Sequence, residues 1–271
     1  MYESFATVWE QVADAIPDAT AVIQGTRRVS WRDIQRRAAR LAGALGAVGV
    51  HAGTHVALYL YNCPEYMECL FACSKLRAVS VNVNFRYVSN ELAFLVDNAD
   101  AEVLVYHRSL GDRVAAAREQ MPQVRVLVEI DGDEDEDAKP APDGERYEEL
   151  IDAHAPLPRV DRSGDDFLLW YTGGTTGTPK GVLWHQGTLT DLGLIGAYAL
   201  QDQPVPASIA ELIDDVRTFR AQSSSPVVLV TTPLVHAAAV HQANTAFLTG
   251  GTIVLLERGP VDGDDVCTTI F

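Results

Sequence analysis

The sequence of 271 residues is poor in cysteine, in basic residues and in long apolar runs. Its four cysteines have neither paired CxxC spacing nor the density of a disulfide-stabilised secreted domain, so we expect a reducing, cytoplasmic location. Lysine and arginine total 21 against 37 acidic residues. The resulting formal charge of −16 argues against a nucleic-acid partner, because nucleic acids are bound mainly by clustered cations. No apolar stretch reaches the roughly 18 residues of a membrane span, so no transmembrane segment is expected.

What the sequence does contain is enough apolar material for a sizeable core, with 47% hydrophobic residues. Ser30 followed by Asp33 resembles a helix capping box, and apolar residues then recur at helical spacing, at Ile34, Ala38, Leu41 and Leu45. Strands are predicted at 55–60, 78–83, 103–106 and 124–130, and helices at 64–75, 90–97 and 112–119. This alternation predicts an α/β fold of mostly parallel sheets covered by helices.

The chain divides into two predicted α/β subdomains, residues 1–160 and 161–271. An acidic, low-complexity stretch at 131–137, near the end of the first, is predicted to be a solvated linker. The second subdomain has predicted strands at 167–171, 182–184, 227–231 and 252–257. Residues 201–225 are polar, with prolines and a triple serine around one amphipathic piece at 209–219, and we interpret them as an insertion.

The most informative segment is Tyr171-Thr-Gly-Gly-Thr-Thr-Gly-Thr-Pro-Lys-Gly-Val182. Its glycines allow successive backbone N–H groups to point into one concavity, while hydroxyls and one lysine add further donors and a positive charge. A polyphosphate needs this combination of short donors, little bulk and a cation. The candidate phosphate-binding residues are Thr172, Gly173, Gly174, Thr175, Thr176, Gly177, Thr178 and Lys180. The segment is not the P-loop of GTPases, because Gly181 follows the lysine and the chain is predicted to return into a strand.

The segment resembles the phosphate-binding signature of the adenylate-forming superfamily, which comprises acyl-CoA synthetases, luciferases and peptide-synthetase adenylation domains. Gly173 is a departure, since many members carry serine there, and it removes one hydroxyl. Further stretches similar to acyl-CoA synthetases lie at 41–105, 233–236 and 247–254. The Gly173-Gly174 pair, Trp184 and the insertion resemble actinobacterial ligases that act on bulky alicyclic or steroid-derived acids.

The resemblance implies a reaction between a carboxylic acid, ATP and coenzyme A by way of an acyl-adenylate. Residues 172–180 would hold the β- and γ-phosphates with Mg²⁺ bridging their oxygens, and no protein metal ligand is predicted. His236, in Pro233-Leu-Val-His236, would be the catalytic histidine beside the acyl pocket and the adenylate. Val235, Ala237, Ala238 and Val240 would form an apolar acyl wall, although small residues near a strand end are equally ordinary packing.

Other reactive side chains point to structural roles. His51 and His55 have metal-site spacing but flank a turn without a cysteine or carboxylate pair. Cys69 and Cys73 share one helical face and are interpreted as core thiols.

The resemblance also predicts an incomplete N-terminal domain of the adenylate-forming fold, which ends inside a helix beginning near Asp264. We expect the chain alone not to complete thioester formation, and to expose a sheet edge and apolar helix faces that favour a homo-oligomer. Two alternatives stay open. One is a non-catalytic nucleotide-binding remnant, and the other is an adenylating enzyme that loads a carrier-protein thiol.

Overall fold

The structure, a computed structural model, describes residues 2–132, 141, 143–173 and 179–256. The helices in these ranges are α1 (Phe5–Ala15), α2 (Trp31–Ala47), α3 (Pro64–Leu76), α4 (Ser89–Asn98), α5 (Gly111–Ala117), α6 (Tyr147–Ala153), α7 (Gln186–Ala199), α8 (Ile209–Ala221) and α9 (Ala237–Leu248). The strands are β1 (Thr20–Gln24), β2 (Arg27–Ser30), β3 (His55–Tyr59), β4 (Val79–Asn82), β5 (Val103–His107), β6 (Val126–Ile130), β7 (Gly144–Arg146), β8 (Phe167–Thr172), β9 (Lys180–His185), β10 (Val227–Val230) and β11 (Thr252–Leu255). None of these helices is both long and apolar enough to cross a membrane.

The strands form two sheets. The larger has seven strands in the order β7-β6-β5-β3-β4-β8-β9 and is parallel except for the final β8–β9 pair. The smaller has the order β10-β11-β1-β2, in which β2 runs antiparallel to its neighbour. The prediction of mostly parallel sheets covered by helices is therefore confirmed.

Each sheet draws strands from both sides of residue 160. The larger sheet joins β4 to β8 through the pair Val81 and Leu169, and the smaller joins β1 to β11 through Val22 and Ile253. Both sheets therefore contain strands from each of the two predicted subdomains, residues 1–160 and 161–271, and that division stays a prediction.

The capping signal at Ser30 is confirmed. Its side-chain oxygen accepts a hydrogen bond from the Asp33 backbone N–H at 3.0 Å, which satisfies one of the free donors at the start of α2. The apolar positions predicted along the helix, Ile34, Ala38, Leu41 and Leu45, are all buried. Helix α2 therefore begins where the sequence predicts and buries the predicted face.

The amphipathic piece predicted inside residues 201–225 is α8, a regular helix with its N-cap at Ser208. Its apolar side chains are buried in the main core: Leu212, Ile213, Val216 and Phe219. The helix also contacts α1. Whatever its evolutionary origin, this segment contributes to the core.

Replacing Gly43 with alanine is expected to lower the free energy of unfolding by about 1–3 kcal/mol, because overpacking a filled site forces backbone or side-chain shifts. A Cβ at this position of α2 would collide with the carbonyl oxygen of Ala155 and lie 3.3 Å from the backbone nitrogen of Leu157. Leu157 N–H donates to the carbonyl of Ala39 at 2.8 Å, so this segment cannot move away freely.

Gly46 in the same helix is the matched control. A Cβ there would meet only Leu76 Cδ2, at an ordinary 3.6 Å. The Gly46→Ala variant should therefore gain about 0.5–1 kcal/mol, the usual advantage of alanine over glycine within a helix. Urea unfolding of both variants checks the prediction, and equal changes of the same sign would contradict it.

Candidate active site

The predicted phosphate-binding segment lies at the end of an antiparallel hairpin. Thr172, the last residue of β8, pairs with Lys180, the first residue of β9. The return of the chain into a strand is confirmed, and Thr172, Gly173 and Lys180 are all exposed at this end. The predicted contacts Gly174, Thr175, Thr176, Gly177 and Thr178 lie outside the described residues, as do Asp264 and the rest of the predicted final helix. The described part of the hairpin thus places the Thr172 hydroxyl and the Lys180 ammonium at the same end of two paired strands.

Two glycines of the segment have different surroundings. Among the residues that the structure describes, no heavy atom lies within 4 Å of a Cβ built at Gly173, so none of them excludes a side chain there. A Cβ at Gly181 would lie 2.9 Å from Leu169 Cδ1 and 3.2 Å from the Tyr171 ring. Gly181 therefore allows side chains of β8 to pack across β9.

His236 is the N-cap residue of α9 and its side chain is exposed. Its backbone N–H donates to the carbonyl of Pro233 at 2.9 Å, which closes the turn before the helix. The sequence interpretation placed this residue near a strand end and missed α9. The missed signal is the helical spacing of Ala239, Ala243 and Phe247, which are all buried.

The residue before His236 contacts the hairpin directly. Trp170, in the middle of β8, donates its indole N–H to the carbonyl of Val235 at 3.0 Å. The structure therefore brings the predicted phosphate-binding hairpin and the segment that carries His236 to one place, although 65 residues separate Trp170 from Val235.

A cavity of about 250 Å³ lies between the hairpin, α7 and α9. Its lining is mainly apolar and aromatic and consists of Phe5, Trp170, Trp184, Leu189, Leu192, Ala237, Ala238, Val240, His241 and Asn244. Three of the four predicted acyl-wall residues are in this lining. The fourth, Val235, is buried and instead accepts hydrogen bonds through its carbonyl. Such a cavity can hold an apolar group next to the hairpin.

The cysteines of α3 do not add a nucleophile. Cys69 and Cys73 are buried, and burial raises the pKa of Cys73 to about 12 and the pKa of Cys69 well above its ordinary value. Because the thiolate is the reactive form, these side chains behave as the core thiols that were predicted.

The two histidines with metal-site spacing bond to the backbone. The ring of His51 contacts the carbonyl of Ala52, and that of His55 contacts the carbonyl of Ala99. Within the described ranges, no group of three or more histidine, cysteine, aspartate or glutamate residues could hold a metal ion.

Similarity to known proteins extends over nearly the whole chain. Residues 9–270 match the family model described as AMP-binding enzyme. The medium-chain acyl-CoA ligase Mig of Mycobacterium avium is 35% identical over 97% of this chain and 49% of that protein. The 3-oxocholest-4-en-26-oate–CoA ligase of Rhodococcus rhodochrous is 38% identical over 67% of this chain and 33% of that protein. The chain spans about half the length of the curated relatives it matches over its full extent.

Solved structures with the same fold cover nearly all of this chain. An anthranilate CoA ligase in complex with anthranoyl-AMP superposes with a TM-score of 0.81 and 19% identity, over 99% of this chain and 48% of that one. The inhibitor-bound N-terminal domain of FACL13 from Mycobacterium tuberculosis gives a TM-score of 0.74 and 21% identity, over 99% of this chain and 60% of that one. At these identities the likeness concerns the fold alone.

Proposed function

Since this chain belongs to the AMP-binding enzyme family, we propose that it binds ATP at the β8–β9 hairpin and activates a carboxylic acid as an acyl-adenylate. The observation that carries the proposal is one hairpin that ends in Thr172 and Lys180 and also contributes Trp170 and Trp184 to the lining of an apolar cavity. Transfer of the acyl group to coenzyme A is also a proposal. The relatives that match nearly all of this chain are about twice its length.

The hairpin fits the phosphates of ATP by its chemistry. The Thr172 hydroxyl donates a hydrogen bond, and the Lys180 ammonium supplies positive charge in a protein of net charge −16. Residues 172–180 would hold the β- and γ-phosphates, and a Mg²⁺ ion bound with them would offset part of their negative charge. In the proposed reaction the carboxylate attacks the α-phosphate and pyrophosphate leaves, so the protein contributes mainly position and charge.

The cavity is the proposed acyl site. Aromatic rings of Phe5, Trp170 and Trp184 and small side chains of α9 suit a rigid or extended hydrocarbon better than a polar one. The names of the relatives, which cover medium-chain acids and a steroid-derived acid, support a fatty or bulky alicyclic substrate. His236, which directly precedes the cavity wall of Ala237 and Ala238, is the proposed catalytic histidine.

Acid-dependent exchange of labelled pyrophosphate into ATP, over a panel of fatty, aromatic and steroid-derived acids, tests the proposal. We expect exchange that requires the acid and disappears in Lys180→Ala, and the best acid then identifies the substrate class. Exchange that does not depend on the acid, or an absence of both exchange and ATP binding, would contradict the proposal.

Replacing Gly173 with serine is expected to strengthen ATP binding about threefold to tenfold, because a hydrogen bond to a charged phosphate is typically worth more than one to a neutral group. No atom of the described part of the chain would obstruct the hydroxymethyl group. Gly181→Ser is the control, since the same addition there meets Leu169 and the Tyr171 ring. Equilibrium dialysis with ATP and thermal melting separate the two effects. A weaker affinity in Gly173→Ser with an unchanged melting temperature would refute the prediction.

A further inference from the structure

Residues 232–235, the turn before His236, connect the smaller sheet to α9. The turn follows β10 and lies against the carboxyl ends of β3 and β4 in the larger sheet. Two asparagines, Asn62 in the loop after β3 and Asn82 at the end of β4, bond to the backbone of this turn. The mechanism proposed above assigns no role to either of them.

Asn62 lies three residues after β3 and bonds to the first half of the turn. Its Oδ1 accepts from the backbone N–H of Leu234 at 2.6 Å, and its Nδ2 donates to the carbonyl of Thr232 at 3.3 Å. The Asn62 carbonyl accepts from Gln24 Nε2 at 2.8 Å, so β1 of the smaller sheet is bonded to the same residue. Asn62 therefore connects the turn through its side chain and β1 through its backbone carbonyl.

Asn82, the last residue of β4, is buried and bonds in two directions. Its Oδ1 accepts from the backbone N–H of Tyr171 at 2.7 Å, while its Nδ2 donates to the carbonyl of Tyr171 at 3.1 Å. The same Nδ2 donates to the carbonyl of Val235 at 2.7 Å. Tyr171 directly precedes Thr172 and Val235 directly precedes His236, so one amide group connects the two halves of the site.

The chemistry of these contacts requires an amide. The group must accept from one N–H and donate to two carbonyls, and the opposite orientation would place a donor against the Tyr171 N–H. A carboxylate would set negative charge against two carbonyl oxygens, and alanine would leave the Tyr171 N–H without its side-chain acceptor. The hydrogen bonds at position 82 therefore require asparagine and not aspartate or alanine.

We propose that Asn62 and Asn82 are positioning residues that hold His236 and the cavity wall of α9 against the phosphate-binding hairpin. We call the hydrogen bonds of Asn62 and Asn82 to residues 232–235 and to Tyr171 the clamp. The clamp is a property of the fold, whereas its catalytic consequence rests on the proposed function. A shift of about 1 Å in the placement of reacting groups can reduce a rate by as much as 10²-fold. Loss of the clamp therefore lowers kcat for adenylation more than it raises the KM for ATP.

The test compares Asn82→Ala, Asn82→Asp and Asn62→Ala with Asn98→Ala. Asn98 is the matched control because it also bonds to Tyr171, but through the phenol oxygen at 2.7 Å and not through the backbone. Amide hydrogen exchange at Tyr171 and Leu234 measures the clamp, and acid-dependent pyrophosphate exchange measures its consequence. Thermal melting identifies any variant that fails to fold.

We expect amide exchange to quicken about tenfold at Tyr171 in Asn82→Ala and at Leu234 in Asn62→Ala, which corresponds to one lost hydrogen bond. In these variants kcat should fall by about tenfold or more with the KM for ATP within about threefold, while Asn98→Ala stays near wild type. Asn82→Asp should recover activity as the pH falls, because a protonated carboxyl can donate to one of the two carbonyls.

Unchanged amide exchange in both clamp variants would overturn the proposal, as would kcat values equal to that of Asn98→Ala. Failure of the proposed function has a different signature, since wild type itself would then show no acid-dependent pyrophosphate exchange. In that event the amide-exchange measurements alone decide whether the clamp exists.

Discussion

Replacing Glu10 with alanine is expected to lower the free energy of unfolding by about 3–5 kcal/mol, the usual effect of removing one partner from a buried ion pair. The Glu10 carboxylate on α1 is buried between two buried cations. Lys75 Nζ donates to it at 2.5 Å and Arg162 Nη1 at 2.9 Å. Without the carboxylate, the ammonium and the guanidinium would remain in the core with no anion between them.

The pH dependence of that loss has a definite sign. Burial lowers the pKa of Lys75 to about 8, while Glu10 acts in the opposite direction. Removing Glu10 lowers the pKa of Lys75 in the folded state further. The variant therefore releases the Lys75 proton at a lower pH than wild type does. The folded variant then binds fewer protons than folded wild type below about pH 8. The difference in free energy of unfolding between wild type and variant should therefore shrink as the pH rises toward that value.

Asp14→Ala on the same helix is the control for this prediction. Asp14 is exposed and pairs with Arg159 at 2.8 Å, and exposed ion pairs contribute about 0–1 kcal/mol. Urea unfolding at about pH 6 and pH 8 brackets the range over which the Lys75 pKa is expected to change. A loss in Glu10→Ala no greater than in Asp14→Ala, or a deficit that grows with pH, would contradict the assignment.

Replacing Lys180 with alanine is expected to weaken ATP binding about 10²-fold, which corresponds to about 2.7 kcal/mol. A protein of net charge −16 repels a polyphosphate over most of its surface, so a local cation at the hairpin end contributes strongly. The charge-assisted hydrogen bonds of an ammonium to phosphate are about twice as strong as neutral ones. Equilibrium dialysis with ATP measures the effect.

Arg217→Ala separates the local effect from the change in net charge. Arg217 is an exposed residue of α8 that pairs with Asp214 at 3.1 Å, and its replacement changes the net charge by the same amount. We expect less than about a twofold change in ATP affinity, because a distant surface charge is screened by salt. Equal losses in the two variants would mean that Lys180 does not contact the phosphates.

Much of the larger sheet could be predicted from sequence because its strands are short apolar runs between clear helix signals. The strand predicted at 78–83 is β4 (Val79–Asn82), and the helix predicted at 90–97 is α4 (Ser89–Asn98). The smaller sheet was recognised only in part. Its strands β1 and β2 carry weaker signals, and β1 pairs with β11 from the far end of the chain, a register that no local pattern contains.

The candidate site, like the sheets, could be predicted from the sequence only in part. Residues 172–180 are contiguous and chemically distinctive, so the hairpin could be recognised as a motif. The contacts of Asn82 with Tyr171 and Val235 join residues 89 and 153 positions apart, and they follow only from the order of strands in the sheet. The burial of Glu10 between Lys75 and Arg162 is equally non-local, since sequence charge alone predicts three exposed side chains.

A crystal structure of the chain with a non-hydrolysable ATP analogue and the best acid from the exchange panel is the most direct test of the proposed phosphate and acyl sites. We expect the β- and γ-phosphates to lie within hydrogen-bonding distance of Lys180 Nζ and the Thr172 hydroxyl. We also expect the hydrocarbon of the acid to occupy the cavity lined by Trp184, Ala237 and Ala238. Phosphates bound away from the hairpin, or an acid bound outside this cavity, would contradict the proposal.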